Sequence, residues 1–345
     1  MAVAHLGRLA LRAAVSLPLL LAVGWAAAAL WIDGPESHPL AGALSLGFVA
    51  IAGLAAMLVR PWWRASVAVV VALTIVLAWW LTRAPRNDRE WQPDVARLPT
   101  ATVDGSLLTI RNVRNFEYRD EGDAKERWET RTYDLDTLVG SDVFISFWGP
   151  TLYGHTIVSW EFAGGRHLAV SIETRKETGE EYSALRGFFR QYELYYVVAD
   201  ERDVIGLRTN LRGETVQLYR PRGTADKGRA LLLDYVKEIN ALAEQPRWYN
   251  ALTQNCTTTI WLHTKAVGSG PRFDWRLLAN GYLPDLAYER RTIDTSIGLE
   301  ELKRRSDVTA RARAAGAMDD FSRVIRDGLP SRPAGGPADR PKPAP

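Results

Sequence analysis

At 345 residues the chain is long enough for one sizeable domain and a further segment beside it. Its net charge of +3, with no basic stripe carrying interleaved aromatics, sets nucleic-acid binding aside. One cysteine, Cys256, leaves no partner for an intramolecular disulfide.

The further segment is at the front. Residues 13–32, 40–59 and 65–82 are apolar runs free of Asp, Glu, Lys and Arg, each about as long as a bilayer crossing requires. They predict three transmembrane helices. A signal peptide accounts for the first run only, and a buried soluble hairpin is the bland alternative. Arg8 and Arg12 precede the first span, Asp33 and Glu36 separate it from the second, and Arg60 and Arg64 bracket the next turn. Positive-inside therefore places the N-terminus in the cytoplasm and everything after about Arg83 on the far side, although Arg83, Arg86 and Arg89 pull the other way. Trp62, Trp63, Trp79 and Trp80 fit interfacial anchors.

Residues 87–139 begin as a polar, Pro-containing linker (87–98) and continue into a short strand (100–116) and a charged segment with no clear pattern. Residues 143–148 read as a strand stopped by Gly149-Pro150. From His155 to Phe162 and from His167 to Arg175 the pattern alternates around Ala163-Gly164-Gly165, which predicts a β-hairpin. Residues 182–191 predict a short helix or loop. Strands are expected at 192–198, 203–208 and 215–219, and Leu231, Leu232, Tyr235, Val236, Ile239 and Leu242 recur at helical spacing across 229–243. Residues 273–288 carry the turn Asn280-Gly281, 299–325 is helix-prone, and the Pro, Ala and Gly rich tail at 326–345 predicts disorder.

Pro246 precedes the cysteine stretch, and Ile260, Trp261 and Val267 follow it at helical spacing. Cys256 thus falls at or within one turn of a helix start, where unpaired backbone N–H groups stabilise a thiolate. The bland reading of a lone cysteine is a small buried hydrophobe. A nucleophile needs a base. His263 lies seven residues on, about 10 Å along the same helix, which is out of reach. His155 opens the first hairpin strand. A three-residue hairpin loop places Glu173 opposite His155, whereas a two-residue loop places Thr174 there. His167 is the rival orienter, although the turn that would pair it with His155 is missing. A metal site built from His155, His167 and Glu173 lacks a close ligand-pair motif, so neither metal nor cofactor is implied.

The order of these groups, histidine first and Asn-Cys at a helix start last, resembles the circularly permuted NlpC/P60 and papain-like thiol hydrolases, which include lecithin:retinol acyltransferase-like enzymes. Residues of roughly 140–265 resemble more closely the DUF4105 family, the Lnb N-terminal periplasmic domain. The stretches that carry the likeness are Phe147-Trp148-Gly149-Pro150, His155-Thr156-Ile157-Val158-Ser159, Ser171-Ile172-Glu173-Thr174-Arg175, Tyr192-Glu193-Leu194-Tyr195-Tyr196, Asp200-Glu201-Arg202-Asp203 and Trp248-Tyr249-Asn250 through Asn255-Cys256-Thr257-Thr258. The resemblance implies Cys256 as nucleophile and His155 as base, with Asn255, Thr257 and Arg175 in support. Two departures stand out. The acyltransferase-like enzymes have a second histidine twelve residues after the first, a spacing His167 meets, and they continue Asn-Cys with Glu-His where this chain has Thr257-Thr258.

The expectation is an α+β, permuted papain-like domain at residues 140–325, behind a three-helix transmembrane region at 1–86. The domain is expected in the periplasm, held at the bacterial inner membrane, and its reaction is expected to run through a Cys256 thioester. A membrane phospholipid is the implied acyl donor and a lipoprotein amine the acceptor. A peptidoglycan amidase or peptidase, and a non-catalytic membrane-anchored binding module, are the other readings.

Overall fold

The computed structural model describes residues 2–120, 123–330 and 332, in two compact units: Met1–Arg86 with Tyr182–Tyr192, and Asn87 onward without that insertion. The first unit holds three helices, α1 (Ala2–Ile32), α2 (His38–Leu58) and α3 (Trp62–Thr82). All three are long and apolar enough to cross a membrane. Their contact surfaces use small residues, with Ala26, Ala29, Ala41, Ala52 and Ala65 buried, while Leu20, Leu21, Ile51, Leu54 and Ile75 stay exposed. That division suits helices that approach closely and turn their larger side chains to lipid. At one end Trp80 Nε1 donates to Asp33 at 2.6 Å. Arg190, from the distant 182–192 segment, stacks over the Trp80 ring and donates to the carbonyls of Leu81 and Arg83.

The second unit is built on a mixed sheet. Its strands are β1 (Thr100–Asp104), β2 (Leu107–Arg114), β5 (Trp128–Asp134), β6 (Leu138–Phe147), β7 (His155–Phe162), β8 (Arg166–Arg175), β9 (Glu193–Ala199) and β10 (Thr215–Tyr219), in the order β1-β2-β9-β8-β7-β6-β10 with β5 paired to β2. Strands β3 (Glu117–Asp120) and β4 (Asp123–Lys125) form a separate two-stranded ribbon. The β7–β8 hairpin closes through Ala163–Gly165, with Gly164 and Gly165 at positive φ, and its register pairs Ile157 with Ser171 and Glu161 with His167. This is the three-residue loop, whose register sets Glu173 level with His155.

Helix α4 (Glu201–Gly206) and a following π-helical turn, Leu207–Leu211, replace the strand expected at 203–208. The Asp200 side chain caps the helix by accepting from Arg202 N, a local hydrogen bond that outweighs the short Val-Ile run. Helix α5 (Ala225–Glu244) buries the predicted apolar stripe, and Trp160 on β7 donates to Gly228 O on it at 2.9 Å. Helix α6 (Cys256–Ala266) packs beside α5 and against β7 and β8. Beyond it come α7 (Leu283–Glu289), α8 (Leu299–Ser306), α9 (Thr309–Ala315) and α10 (Phe321–Val324), so the helix-prone stretch at 299–325 is three short helices.

Two stretches differ in character from the sequence reading. In the segment read as a linker, Val95 is buried and Trp91 and Leu98 pack on the core. In the tail, residues 331 and 333–345 lie outside the described residues. Arg326 and Arg332 are fixed by ion pairs to the buried carboxylate of Asp142, an electrostatic anchor that composition does not reveal.

Candidate active site

Asn255 is the N-cap of α6. Its Oδ1 accepts from Thr257 N at 3.0 Å and Thr258 N at 2.9 Å, and Thr258 Oγ1 accepts from Asn255 N, which completes a capping box. Replacing such a cap by alanine costs about 1 kcal/mol. The cap also consumes most of the donors that a bare helix start would offer. Thr257 N and Thr258 N are taken, and Thr259 N bonds to Asn255 O, which leaves the N–H of Cys256 itself as the donor without a partner among the described residues.

Cys256 is 8% exposed. Its Sγ lies 3.8 Å from Thr257 Oγ1, 4.0 Å from Asn280 Nδ2, and against the backbone N–H of Thr156. Asn280 locks the surroundings. It accepts from Gly154 N at 2.7 Å, donates to Gly154 O, and donates to Thr257 Oγ1 at 2.7 Å, while Thr257 Oγ1 also meets Thr156 Oγ1 at 3.2 Å. Gly154 has to be glycine here, since a Cβ would sit 2.8 Å from Ile145.

His155 is the residue between Gly154 and Thr156, and a polar chain runs away from its ring. Nε2 meets Ser171 Oγ at 2.6 Å, and Ser171 donates to Glu173 Oε1 at 2.7 Å. Glu173 Oε1 is itself 3.6 Å from His155 Nε2 and takes a 2.9 Å bond from Arg208, whose other arm reaches Glu214 Oε2 at 3.2 Å. Ser146 also donates to Glu214. A carboxylate only accepts, so the Ser171 proton points to Glu173 and its oxygen accepts from His155 Nε2–H. The ring's lone pair is then on Nδ1. No hydrogen bond joins the ring to the sulfur; the two groups are linked through the Thr156 backbone.

Burial, reinforced by the Arg208 guanidinium, lowers the His155 pKa to about 3, so the ring is neutral. Burial alone would raise Glu173, but Arg208, His155 and Arg114 outweigh it and hold the carboxyl well below the usual range. Burial pushes the Cys256 thiol up, and the Thr156 and Thr257 hydrogen bonds offset only part of this. The low-pKa thiolate expected at a helix start is therefore corrected to a neutral thiol, because desolvation outweighs a helix end whose amides are already committed.

Other singled-out residues fall elsewhere. Arg175 donates to Val95 O, Ala96 O and Asn87 Oδ1 and lies over the Trp91 ring, so it fastens residues 87–96 to the sheet and touches neither Cys256 nor His155. His263 is buried with both ring nitrogens bonded, to Tyr196 OH and Asp234, each at 2.7 Å. His167 is brought to the opposite end of the hairpin from His155, about 20 Å away at the rise of a strand. There its Nε2 is buried without a hydrogen bond, within 4.8 Å of ligand atoms of Asp142 and Glu161. Arg326 and Arg332 already hold Asp142, and Arg220 and Arg332 hold Glu161, so guanidinium groups occupy the oxygens a cation would need.

Ser171, Arg208 and Asn280 carry the site's connections, although sequence reasoning gave them no role. Ser171 was within reach, since it shares a strand face with Glu173 and sits one pair from His155. Asn280 was marked only as the start of the turn Asn280-Gly281, and nothing local marks Arg208.

A mostly apolar cavity of about 460 Å3 is lined by Thr156 and Thr257, the two threonines that touch the sulfur, though not by Cys256 or His155 themselves. Its lining begins at Thr156 and Thr257 and follows one face of α6 through Ile260, Trp261, Thr264 and Val267, with Val158 and Leu231 opposite.

Residues 124–281 match the family model of the Lnb N-terminal periplasmic domain, and this stretch contains every residue of the polar chain and of the cysteine's surroundings. Neither the curated proteins nor the solved structures yield a match.

Proposed function

We propose that the second unit is a papain-like cysteine acyltransferase that takes a fatty acyl chain from a membrane lipid onto Cys256 and passes it to an amine. The observation that carries this reading is the cavity: it is apolar, starts at the two threonines flanking Sγ, and falls within the volume range of small-ligand sites. An acyl chain fits such a lining, whereas the peptide and sugar of peptidoglycan would leave polar groups unpaired in it.

In this reaction the Cys256 thiol attacks the ester carbonyl while His155 Nδ1 takes its proton. The neutral resting pair means that charge develops only as the bond forms. Cys256 N–H is the donor near the sulfur that can receive the developing oxyanion, while Asn280, whose two Nδ2 hydrogens go to Gly154 O and Thr257 Oγ1, holds the surrounding backbone in place. The tetrahedral adduct collapses to a thioester, and the leaving alcohol of the lipid takes the proton from His155. The acceptor amine then attacks the thioester, gives a proton to His155, and the thiol is restored. Ser171 and Glu173 hold the ring in the required tautomer throughout. Three membrane-spanning helices and a periplasmic-domain family match support a membrane-anchored protein of this kind. The Arg8/Arg12 and Arg60/Arg64 flanks support a cytoplasmic N-terminus and a catalytic unit beyond the bacterial inner membrane, and a lipoprotein amine is the proposed acceptor.

Thr264 tests the cavity's role. It lines the cavity eight residues along α6 from Cys256, about 12 Å on. In Thr264→Phe, transfer from lipids with long chains should fall while transfer from short-chain lipids is retained. Equal loss for both chain lengths in a folded variant, or release of muropeptides from peptidoglycan by the wild-type protein, would refute the reading.

A further inference from the structure

Three loops converge on Cys256 from different parts of the chain: residues 148–154 before His155, residues 250–254 before the N-cap, and residues 275–282. The first and third are tied to each other, and the second to the N-cap of α6. Gly281 N donates to Leu152 O at 3.1 Å, Gly154 bonds Asn280, and Asn255 Nδ2 donates to Ala251 O at 2.8 Å. Gly281 allows the close approach, since a Cβ there would collide with the Thr151 carbonyl.

Their outward surface is unusual for water. Trp148 is 58% exposed and Trp275 59%, and Tyr153, Leu252, Leu278 and Tyr282 are exposed beside them. Of the twenty residues in these loops only Arg276 is charged, against 24% for the whole chain. That one charge is engaged by Asp274 and Glu289. Exposed Trp and Tyr without charges match the side chains that settle at the headgroup level of a bilayer, where the ring is apolar and its N–H or O–H remains wet. The same chain carries three helices long and apolar enough to cross a membrane.

We infer that the rim formed by these three loops docks into the lipid interface, so that the entrance to Cys256 opens onto the bilayer and not onto water. The inference rests on exposure and composition and is independent of the reaction at the sulfur. A lipid surface is the occupant because the rim offers rings and aliphatic groups with almost no charge to read a protein or an ionic headgroup.

The test uses the full chain reconstituted in phosphatidylcholine/phosphatidylglycerol vesicles. In a Cys256→Ser background, single cysteines replacing Trp148, Leu252 or Tyr282 are labelled with an NBD fluorophore. Val103, exposed on β1, is the negative control, and Leu185, on the segment that Arg190 fastens at the span ends, is the positive control. Nitroxide-bearing lipid at a shallow chain position should quench at least two of the three rim labels at least twofold more than the Val103 label. Quenching equal to that of Val103 would overturn the inference, as would a blue shift without quenching, which signals cover by protein. Neither result bears on whether Cys256 is acylated.

Discussion

The β7–β8 hairpin carries the same pair of residue types twice. In one register, Glu161 faces His167 near the turn and Glu173 stands level with His155 at the open end. Both carboxylates are held by arginines, yet the two ends differ in what the histidine can do. At the open end Ser171 fixes one ring nitrogen, and the Cys256 thiol lies against the backbone of the next residue, Thr156. Near the turn, His167 Nδ1 donates to Gly165 O, its Nε2 is buried without a partner, and three arginines pack the carboxylates. A histidine and a carboxylate across a hairpin therefore do not make a site. What distinguishes the open end is the arrival of α6 with its cysteine, together with a serine placed to choose the tautomer.

Substitutions at the two ends should separate accordingly. His155→Ala, which removes the base, should reduce acyl transfer about 1,000-fold with the fold retained. A rate within tenfold of wild type would show that the proton goes elsewhere. Ser171→Ala and Glu173→Gln leave the base but release its tautomer, so kcat should fall about 10- to 100-fold with KM little changed. A matching rise in KM would indicate a binding role instead.

Stability sharpens the comparison. A His155 pKa near 3 in the folded state, against about 6.5 unfolded, means the unfolded chain binds the extra proton between these values, so stability falls as pH drops through that window. From pH 7 to pH 5 the loss is about 2 kcal/mol for this one group. Glu173, with its lowered pKa, contributes in the same direction only below about 4.5. His263, also lowered by burial, adds its own share above that. The thermal midpoint should thus drop between pH 7 and pH 5, and by clearly less in His155→Gln; an unchanged drop would mean that His155 is not buried neutral. The smallest effect belongs to the turn end, where His167→Ala should leave activity within about twofold of wild type.

Much of this was legible in the sequence, and the physical reasons for the rest are specific. The three spans, the hairpin, α5 and the helix start at Cys256 follow from apolar runs, alternation and helical spacing, all of which are local. The hairpin register followed once the loop length was known. The strand expected at 203–208 is a helix because a single Asp200 cap decided between two readings of a short apolar run. The roles of Arg208 and Asn280 were invisible because their partners, Glu173 and Gly154, are 35 and 126 residues away. The raised thiol was missed for a related reason: the burial of Cys256 depends on its folded surroundings and outweighs what the local helix start offers.

The central claim is that Cys256 carries the acyl chain, and intact mass spectrometry of the full chain tests it most directly. Incubated with phospholipid in the absence of acceptor, the protein should gain one fatty acyl mass that maps to Cys256 and is released by neutral hydroxylamine, while Cys256→Ser gains no hydroxylamine-labile adduct. An unmodified Cys256 in a preparation that nonetheless transfers acyl chains would contradict the account.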